Sequence, residues 1–309
     1  MAFNAILKAN SASVITVIAR LVLQQLLTNC KLTKLLAVGR DLAGLEREKG
    51  DTIRILKPAA LVTQTKAENA EFDFQSANDE YVEVLLDQHK ECSFRVSGPA
   101  KMFSRSDVIE NYAANAGLAL ASQLDSMLAA LYAYAGRLVG TYGTVLSDAD
   151  FIELARLFAN SNIPDADRNV VLHPDVYAEV SQLDVFTDAS KIGTAAPLTQ
   201  GALGSLRGFQ IHQDPRIVTT TNSGGSRWHN LAFHKNAAVL ASADMEIPGA
   251  NSGVDAAVVA VTDSEGQPTG ISIRVMLSYD RREDAHLFSA DGIFGLKVLR
   301  PLAFAELRR

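Results

Sequence analysis

Apolar side chains recur every three or four residues in two long stretches of the chain. In the first, Val14, Val17, Ile18, Leu21 and Val22 predict an amphipathic helix over residues 14–27. Its apolar stripe needs a surface, and either its own domain or a neighbouring subunit supplies one. In the second, Ile109, Ala113, Ala116, Leu120, Leu124, Met127, Leu131 and Tyr134 predict a helix from Ser106 to Ala135. Ser106 or Asp107 caps its start, Glu110 follows Asp107 at capping-box spacing, and Gly136 stands where a C-terminal cap belongs. Such a helix runs about 45 Å, against about 11–12 residues for an average helix. Its alanines (Ala113, Ala114, Ala116, Ala119 and Ala121) allow other elements to approach closely. It reads as a spine.

Between these helices the period changes to two. Ile53 and Ile55 alternate with Arg54 and Lys57 behind the Gly50-Asp51 turn, and Pro58 ends the run. Val82 and Val84 alternate around Glu83, then Phe94 and Val96 around Arg95. The stretch between, Ala59 to Glu80, is polar and charged, with Lys66, Glu68, Glu71, Asp73, Asp79 and Glu80. Loops this long are uncommon in compact domains unless functional or held by something else. An extended hairpin lying on another subunit meets that condition, and a surface loop is the simpler alternative.

After Gly140 short helices and strands alternate. Ser147 caps a helix through Phe151, Leu154, Ala155 and Phe158 that stops before Pro164. Residues 169–174 read as a buried strand, followed by a helix from Asp175 to Leu183. Strands are predicted at 204–211 and 230–234, a hairpin from 258–262 to 271–277, and a last strand over 295–301.

The chain has 309 residues, 48% of them apolar, 21% charged and 7% aromatic, which excludes a disordered or fibrous protein. With 29 basic and 35 acidic residues the net charge is −6, unlike a protein that condenses nucleic acid. Cys30 and Cys92 cannot form a disulfide framework and fit a reducing, cytoplasmic origin. Arg20, Gln24 and Gln25 interrupt the best apolar stretch, so no membrane span is expected.

Catalytic signatures are missing: no phosphate-binding glycine loop, no Gly-x-Ser-x-Gly elbow, no His-Glu-x-x-His helix. Asp165, Asp167 and Asn169 imitate the start of a calcium loop, but Val170 and Val176 occupy its glycine and bidentate-carboxylate positions. His212, His229 and His234 are the best candidate metal cluster, yet the spacing of the last two aims them apart. His89 and Cys92 lack a second pair to complete a four-ligand set. No catalytic, cofactor or metal residue is assigned.

The ordered series of elements resembles the major capsid proteins of tailed bacteriophages, whose Hong-Kong-ninety-seven-type shell fold is shared with encapsulins. Residues 50–58 are similar to the strand opening that family's extended E-loop, and Leu86 to Phe94 to its return. The helix from Ser106 to Ala135 is similar to the spine helix, residues 168–174, 204–211 and 231–237 to axial-domain strands, and residues 291–301 to the closing peripheral strand.

The resemblance implies an α+β capsid fold: an N-terminal arm (1–45), a peripheral domain (46–139) with the E-loop at 59–80 and the spine at 106–135, an axial domain (140–255), and closing strands of both (256–309). It implies a non-enzymatic, cofactor-free shell subunit of the virion, assembled in the host cytoplasm around double-stranded DNA with scaffolding and portal proteins. Lys66, Glu68, Glu71 and Asp73 in the E-loop would then contact neighbouring subunits. The alternatives are an encapsulin-type compartment and a cytoplasmic α+β enzyme using His212 or His234.

Overall fold

The computed structural model describes residues 11–38, 52–57, 63, 65, 80–99, 108–183, 204–222, 225–249, 254–262 and 268–309. The first helix, α1 (Ser11–Asn29), is followed by the single turn α2 (Leu32–Leu35) and a short strand β1 (Ala37–Val38). Ile15, Ile18, Ala19, Val22, Leu23 and Leu26 are buried on one stripe of α1, while Arg20 and Gln24 face outward. That stripe packs on the chain's own spine helix α3 (Val108–Ala129) and on the first sheet, so the structure selects intrachain docking for this helix.

The spine helix follows its predicted course, with a change of pitch. Its α-helical part ends at Ala129, and Ala130–Tyr134 continue as a tighter 3₁₀ turn. The predicted caps at Ser106 and Asp107 lie outside the described residues. Ala113, Ala116, Leu120, Ala121, Leu124 and Leu128 form its buried face. Gly117 is where α1 comes closest: a Cβ there would stand 2.5 Å from the Val22 carbonyl oxygen.

The first sheet is organised around β14 (Ala285–Val298). One edge of β14 pairs with β4 (Gln88–Ser97); the other pairs with β13 (Pro268–Asp280) along its first half and β11 (Ala238–Ala243) along its second. β12 (Val254–Thr262) extends the sheet beyond β13 as the predicted hairpin, and β1 joins beyond β11. β2 (Thr52–Lys57) and β3 (Glu80–Leu85) form a separate two-stranded ribbon, with Ile53 opposite Val84 and Ile55 opposite Val82. Buried Val84 packs with Val239 and Ala241 beneath it. Phe94 and Val96, the next alternating pair after Val82 and Val84, lie on β4, which leaves the ribbon for the first sheet.

The second sheet has the order β5 (Arg137–Val139), β15 (Phe304–Arg308), β10 (Gly225–His234), β6 (Arg168–Leu172), β8 (Phe209–Gln213), β7 (Ser205–Leu206), with β9 (Thr219–Asn222) paired to the start of β10. Helices α4 (Asp148–Asn160) and α5 (Pro174–Val180) cover one face through Phe151, Leu154, Phe158, Val176 and Val180. The end of the spine covers the other, with Leu128, Ala129 and Leu131 against Val171, Leu231, Phe233 and Phe304.

The two sheets exchange strands across the expected boundaries. β5, at 137–139, already belongs to the second sheet, while β11, at 238–243, belongs to the first. The reading that the chain finishes in a strand at 295–301 misses β15: Pro301 interrupts the ladder, and Phe304–Arg308 cross over to complete the second sheet.

Ser147 does cap α4. The Asp150 carboxylate accepts from both the backbone N–H and the hydroxyl of Ser147, each at 2.8 Å. Ser147→Ala is expected to cost about 1 kcal/mol, measured by chemical denaturation.

Candidate assembly surfaces and the polar joints behind them

A subunit that functions by contact needs apolar side chains left outside its own core, and it needs rigid joints behind them. Tyr81 and Leu85 on the β2–β3 ribbon are 63% and 53% exposed. A second set comprises Tyr134 in the 3₁₀ turn, Leu138 on edge strand β5 and Leu302, at 69%, 52% and 53%. The ribbon is fixed to the first sheet by Lys297, whose Nζ donates to the Glu83 carbonyl at 2.6 Å, and by Gly295, where a Cβ would stand 2.5 Å from the Leu85 carbonyl oxygen. Arg54 and Glu83 pair across it at 3.2 Å, both half-exposed, so this pair adds little stability.

Three polar clusters tie the elements together. The most buried centres on Asp125, in the spine. One carboxylate oxygen accepts from the Lys31 N–H (2.7 Å) and pairs with Arg216 Nη1 (3.0 Å). The other accepts from the Thr33 N–H (3.1 Å) and hydroxyl (3.0 Å). Arg216 also holds the buried Asp214 through two side-chain bonds of 2.8 and 2.9 Å. One carboxylate thus joins the turn after α1, the spine and the loop after β8. Burial pushes the Asp125 carboxyl above the usual carboxylate range, opposed by the Lys31 N–H, Arg216 and Thr33.

The second cluster lies under the end of the spine. His229 Nδ1 donates to Glu306 Oε1 at 2.6 Å, and the Tyr142 hydroxyl donates to the same oxygen at 2.7 Å. Arg308 Nε donates to the other carboxylate oxygen at 3.2 Å, and Thr220 Oγ1 lies 3.0 Å from His229 Nε2. The order Thr220, His229, Glu306 is that of a hydrolase triad. Thr220, however, stands opposite Arg227 in a regular ribbon, so strand register alone accounts for its contact. In the third cluster, Asp291 on β14 accepts from Arg274 at 3.1 and 2.6 Å, with His89 Nε2 at 3.0 Å.

The histidines proposed as a metal cluster are separated by these roles. His229 engages Glu306, and His234 Nδ1 accepts from the Asn236 N–H at 3.2 Å. His212 lies on β8, and burial lowers its basicity. His89 is taken by Asp291, and Cys92 is a free thiol. The Asp165–Asn169 stretch is a turn built on buried Arg168, whose guanidinium donates to the Ile163 and Pro164 carbonyls and pairs with Asp165 at 2.8 Å. Asp167 takes a φ of 57° there, and no described group of three or more His, Cys, Asp or Glu residues forms a metal site.

Lys66, Glu68, Glu71 and Asp73 lie outside the described residues. Sequence reasoning missed Asp125, Arg216, Tyr142 and Glu306. Only Asp125 left a signal, as an acid beside Leu124 at the rim of an otherwise apolar helical stripe.

Comparison with known proteins agrees with the resemblance drawn from the sequence. A family model described as "Phage capsid protein" matches residues 93–307. No curated protein sequence matches the chain. Among solved structures, that of Mycobacterium phage Che8 is similar at a TM-score of 0.61 and 20% identity, covering 90% of each chain. The capsid of Ralstonia phage GP4 gives 0.59 and 14%, covering 86% of this chain and 85% of the other. A virus-like particle from Pyrococcus furiosus gives 0.51 and 14%, covering 95% and 98%. The fold is therefore that of capsid subunits, the family match spans β4 to β15, and the chain belongs to the phage capsid protein family.

Proposed function

We propose that this chain is the major capsid protein of a tailed phage, a structural subunit that builds the head shell around double-stranded DNA. The observation that carries the reading is the family match over residues 93–307, on a chain whose apolar ribbon and edge-strand residues remain exposed after folding. Repeated modest contacts between identical subunits make a closed shell stable although each is weak.

In this reading the α1–α3 helices and first sheet form the peripheral domain, and the second sheet with α4 and α5 the axial domain. The net charge of −6 suits a wall that does not bind DNA by phosphate neutralisation, with DNA entering through a portal. A scaffolding protein sets shell size, and assembly takes place in the host cytoplasm before the subunit becomes part of the virion. Among the described residues no helix is long and apolar enough to cross a membrane.

Lys66, Glu68, Glu71 and Asp73 in the E-loop pair with neighbouring subunits and set their register. Deleting residues 63–78 is expected to leave the folding transition intact while reducing shell yield at least about tenfold, since the removed contacts recur at every interface. Electron microscopy and sizing chromatography of the purified protein test both statements. Normal shells from the deletion variant would refute the role of the loop. Soluble small oligomers from the intact chain, even with the co-expressed scaffold, would refute the shell. Shells that hold a protein cargo and no DNA would identify the encapsulin-type alternative instead.

A further inference from the structure

Strand β4 borders the first sheet alongside β14, and among the described residues no strand pairs with its other edge. We propose that this edge pairs antiparallel with the same strand of a second subunit, about a two-fold axis at Ser93. Glu91 of each copy then stands opposite Arg95 of the other. The proposal rests on the reading of the chain as a self-assembling subunit and assigns one of its contacts.

An edge strand presents a row of unpaired N–H and C=O groups, which proteins blunt with a bulge, a proline or charged side chains. β4 has no proline or glycine in its ten residues, Gln88–Ser97. It has no bulge either, since its register with β14 runs unbroken from Ser97 opposite Ala285 to Gln88 opposite Phe294. It does carry charges, so their order decides whether the edge repels a copy of itself or receives it.

A two-fold axis perpendicular to the sheet keeps each face on its own side. A residue can therefore stand opposite only one that shares its face. His89, Glu91, Ser93, Arg95 and Ser97 are all exposed on one face. With the axis at Glu91 or at Arg95, like charges meet. At Cys92, Glu91 faces Ser93 and Arg95 faces His89; at Phe94, Glu91 faces Ser97 and Arg95 faces Ser93. Among registers centred on residues 91–95, only the one at Ser93 sets opposite charges face to face, and it does so twice.

Both side chains are available for this. Arg95 is engaged by Glu283 in the adjoining turn, an exposed pair of little worth in water, and Glu91 makes no ion pair among the described residues. The opposite face agrees with the same register. Phe94 stacks on Phe288 with centroids 4.6 Å apart, and Tyr112, 51% exposed, tilts over Phe94 at 5.5 Å. This apolar ledge ends at the open edge, where the Ser93 register brings the second copy's Cys92 against Phe94.

The diagnostic variant is Ser93→Cys with Cys92→Ser, which leaves buried Cys30 as the other thiol. Directly opposite residues of an antiparallel pair have Cα atoms about 4.5–5.5 Å apart, within disulfide reach. Oxidation of the assembled full-length protein with diamide is expected to give a covalent dimer for Ser93→Cys and none for Ser97→Cys in the same background. No dimer, or equal linking at both positions, would overturn the contact.

Charge exchange is an independent check. Glu91→Arg and Arg95→Glu should each weaken self-association about tenfold in sedimentation, since each sets two like-charge pairs in one contact. The double exchange should restore it, and a double variant no better than the singles would also overturn the contact. Both positions are exposed, so denaturation midpoints of the variants should stay at the wild-type value. Electron microscopy of the same samples separates this contact from the shell reading. Shells without the Ser93 link overturn the contact alone; linked dimers that never close overturn the shell alone.

Discussion

Replacing Asp125 by alanine is expected to destabilise the subunit by about 3–5 kcal/mol, the cost of leaving a buried ionic network without one partner. The side chain is fully buried, and four donors converge on it: the Lys31 N–H, the Thr33 N–H and hydroxyl, and Arg216 Nη1. Alanine leaves the two N–H groups at the start of α2 without an acceptor and Arg216 with Asp214 alone. Asp125→Asn keeps the shape but turns its NH2 either toward the Lys31 N–H and Arg216 or toward the Thr33 N–H, so it should also destabilise, by a smaller amount.

The pH dependence has a definite sign. Burial raises the Asp125 carboxyl, so ionising it is harder in the fold than in the unfolded chain. The added stability from keeping its proton is fully present below the usual carboxylate range and is lost as pH rises through the raised folded value, while the ionised carboxylate keeps its donor contacts. Asp125→Asn lacks that slope. Urea denaturation of the three proteins across the acid range measures both effects. A cost below about 1 kcal/mol for Asp125→Ala would mean that water replaces the carboxylate and the joint is not sealed.

The second large effect is expected at Gly117. Valine there should cost about 3 kcal/mol, because its Cβ would meet the Val22 carbonyl oxygen at 2.5 Å and Gln25 Cβ at 3.1 Å. Backbone cannot step aside as a flexible side chain can. The whole of α1 must lift, opening the contact of Ala19, Val22 and Leu26 with Ala113, Ala116 and Ala121.

Alanine is the sharper probe because its sign discriminates. In an exposed helix interior, Gly→Ala stabilises by about 1 kcal/mol. With α1 docked on its own spine, Gly117→Ala should instead destabilise and speed proteolysis within residues 11–29. A stabilised variant would mean that in solution α1 leaves the spine for another surface, such as that of a neighbouring subunit.

These two positions also show where sequence and structure part. The helical stripes of α1 and α3, the alternation at Ile53 and Ile55, the Ser147 cap and the hairpin from Val258 to Leu277 follow from local chemistry. A period of 3.6 or 2 is a property of the chain itself, readable without knowing its partners. The same local order carried the resemblance to capsid proteins, because a series of elements in sequence is a one-dimensional property. The ordinary look of Gly117 in that sequence hid a close helix contact, and the acid at Asp125 signalled that something was buried without saying what it met.

Tertiary structure decided the rest, for one physical reason: the deciding contacts join residues far apart in the chain. Lys31 and Thr33 meet Asp125 and Arg216; His229 meets Glu306; β11 and β15 each cross to the sheet that the preceding segment does not belong to. A lone histidine or glutamate carries no mark of its partner until strand register brings them together, which is why His229 reads as a possible metal ligand in sequence and as the buried hydrogen-bond partner of Glu306 in the fold. By itself the sequence determined the elements and their order, and with them the family. Which surface received α1, which sheet received the last strand, and which charges were sealed inside were settled only when long-range packing closed around them.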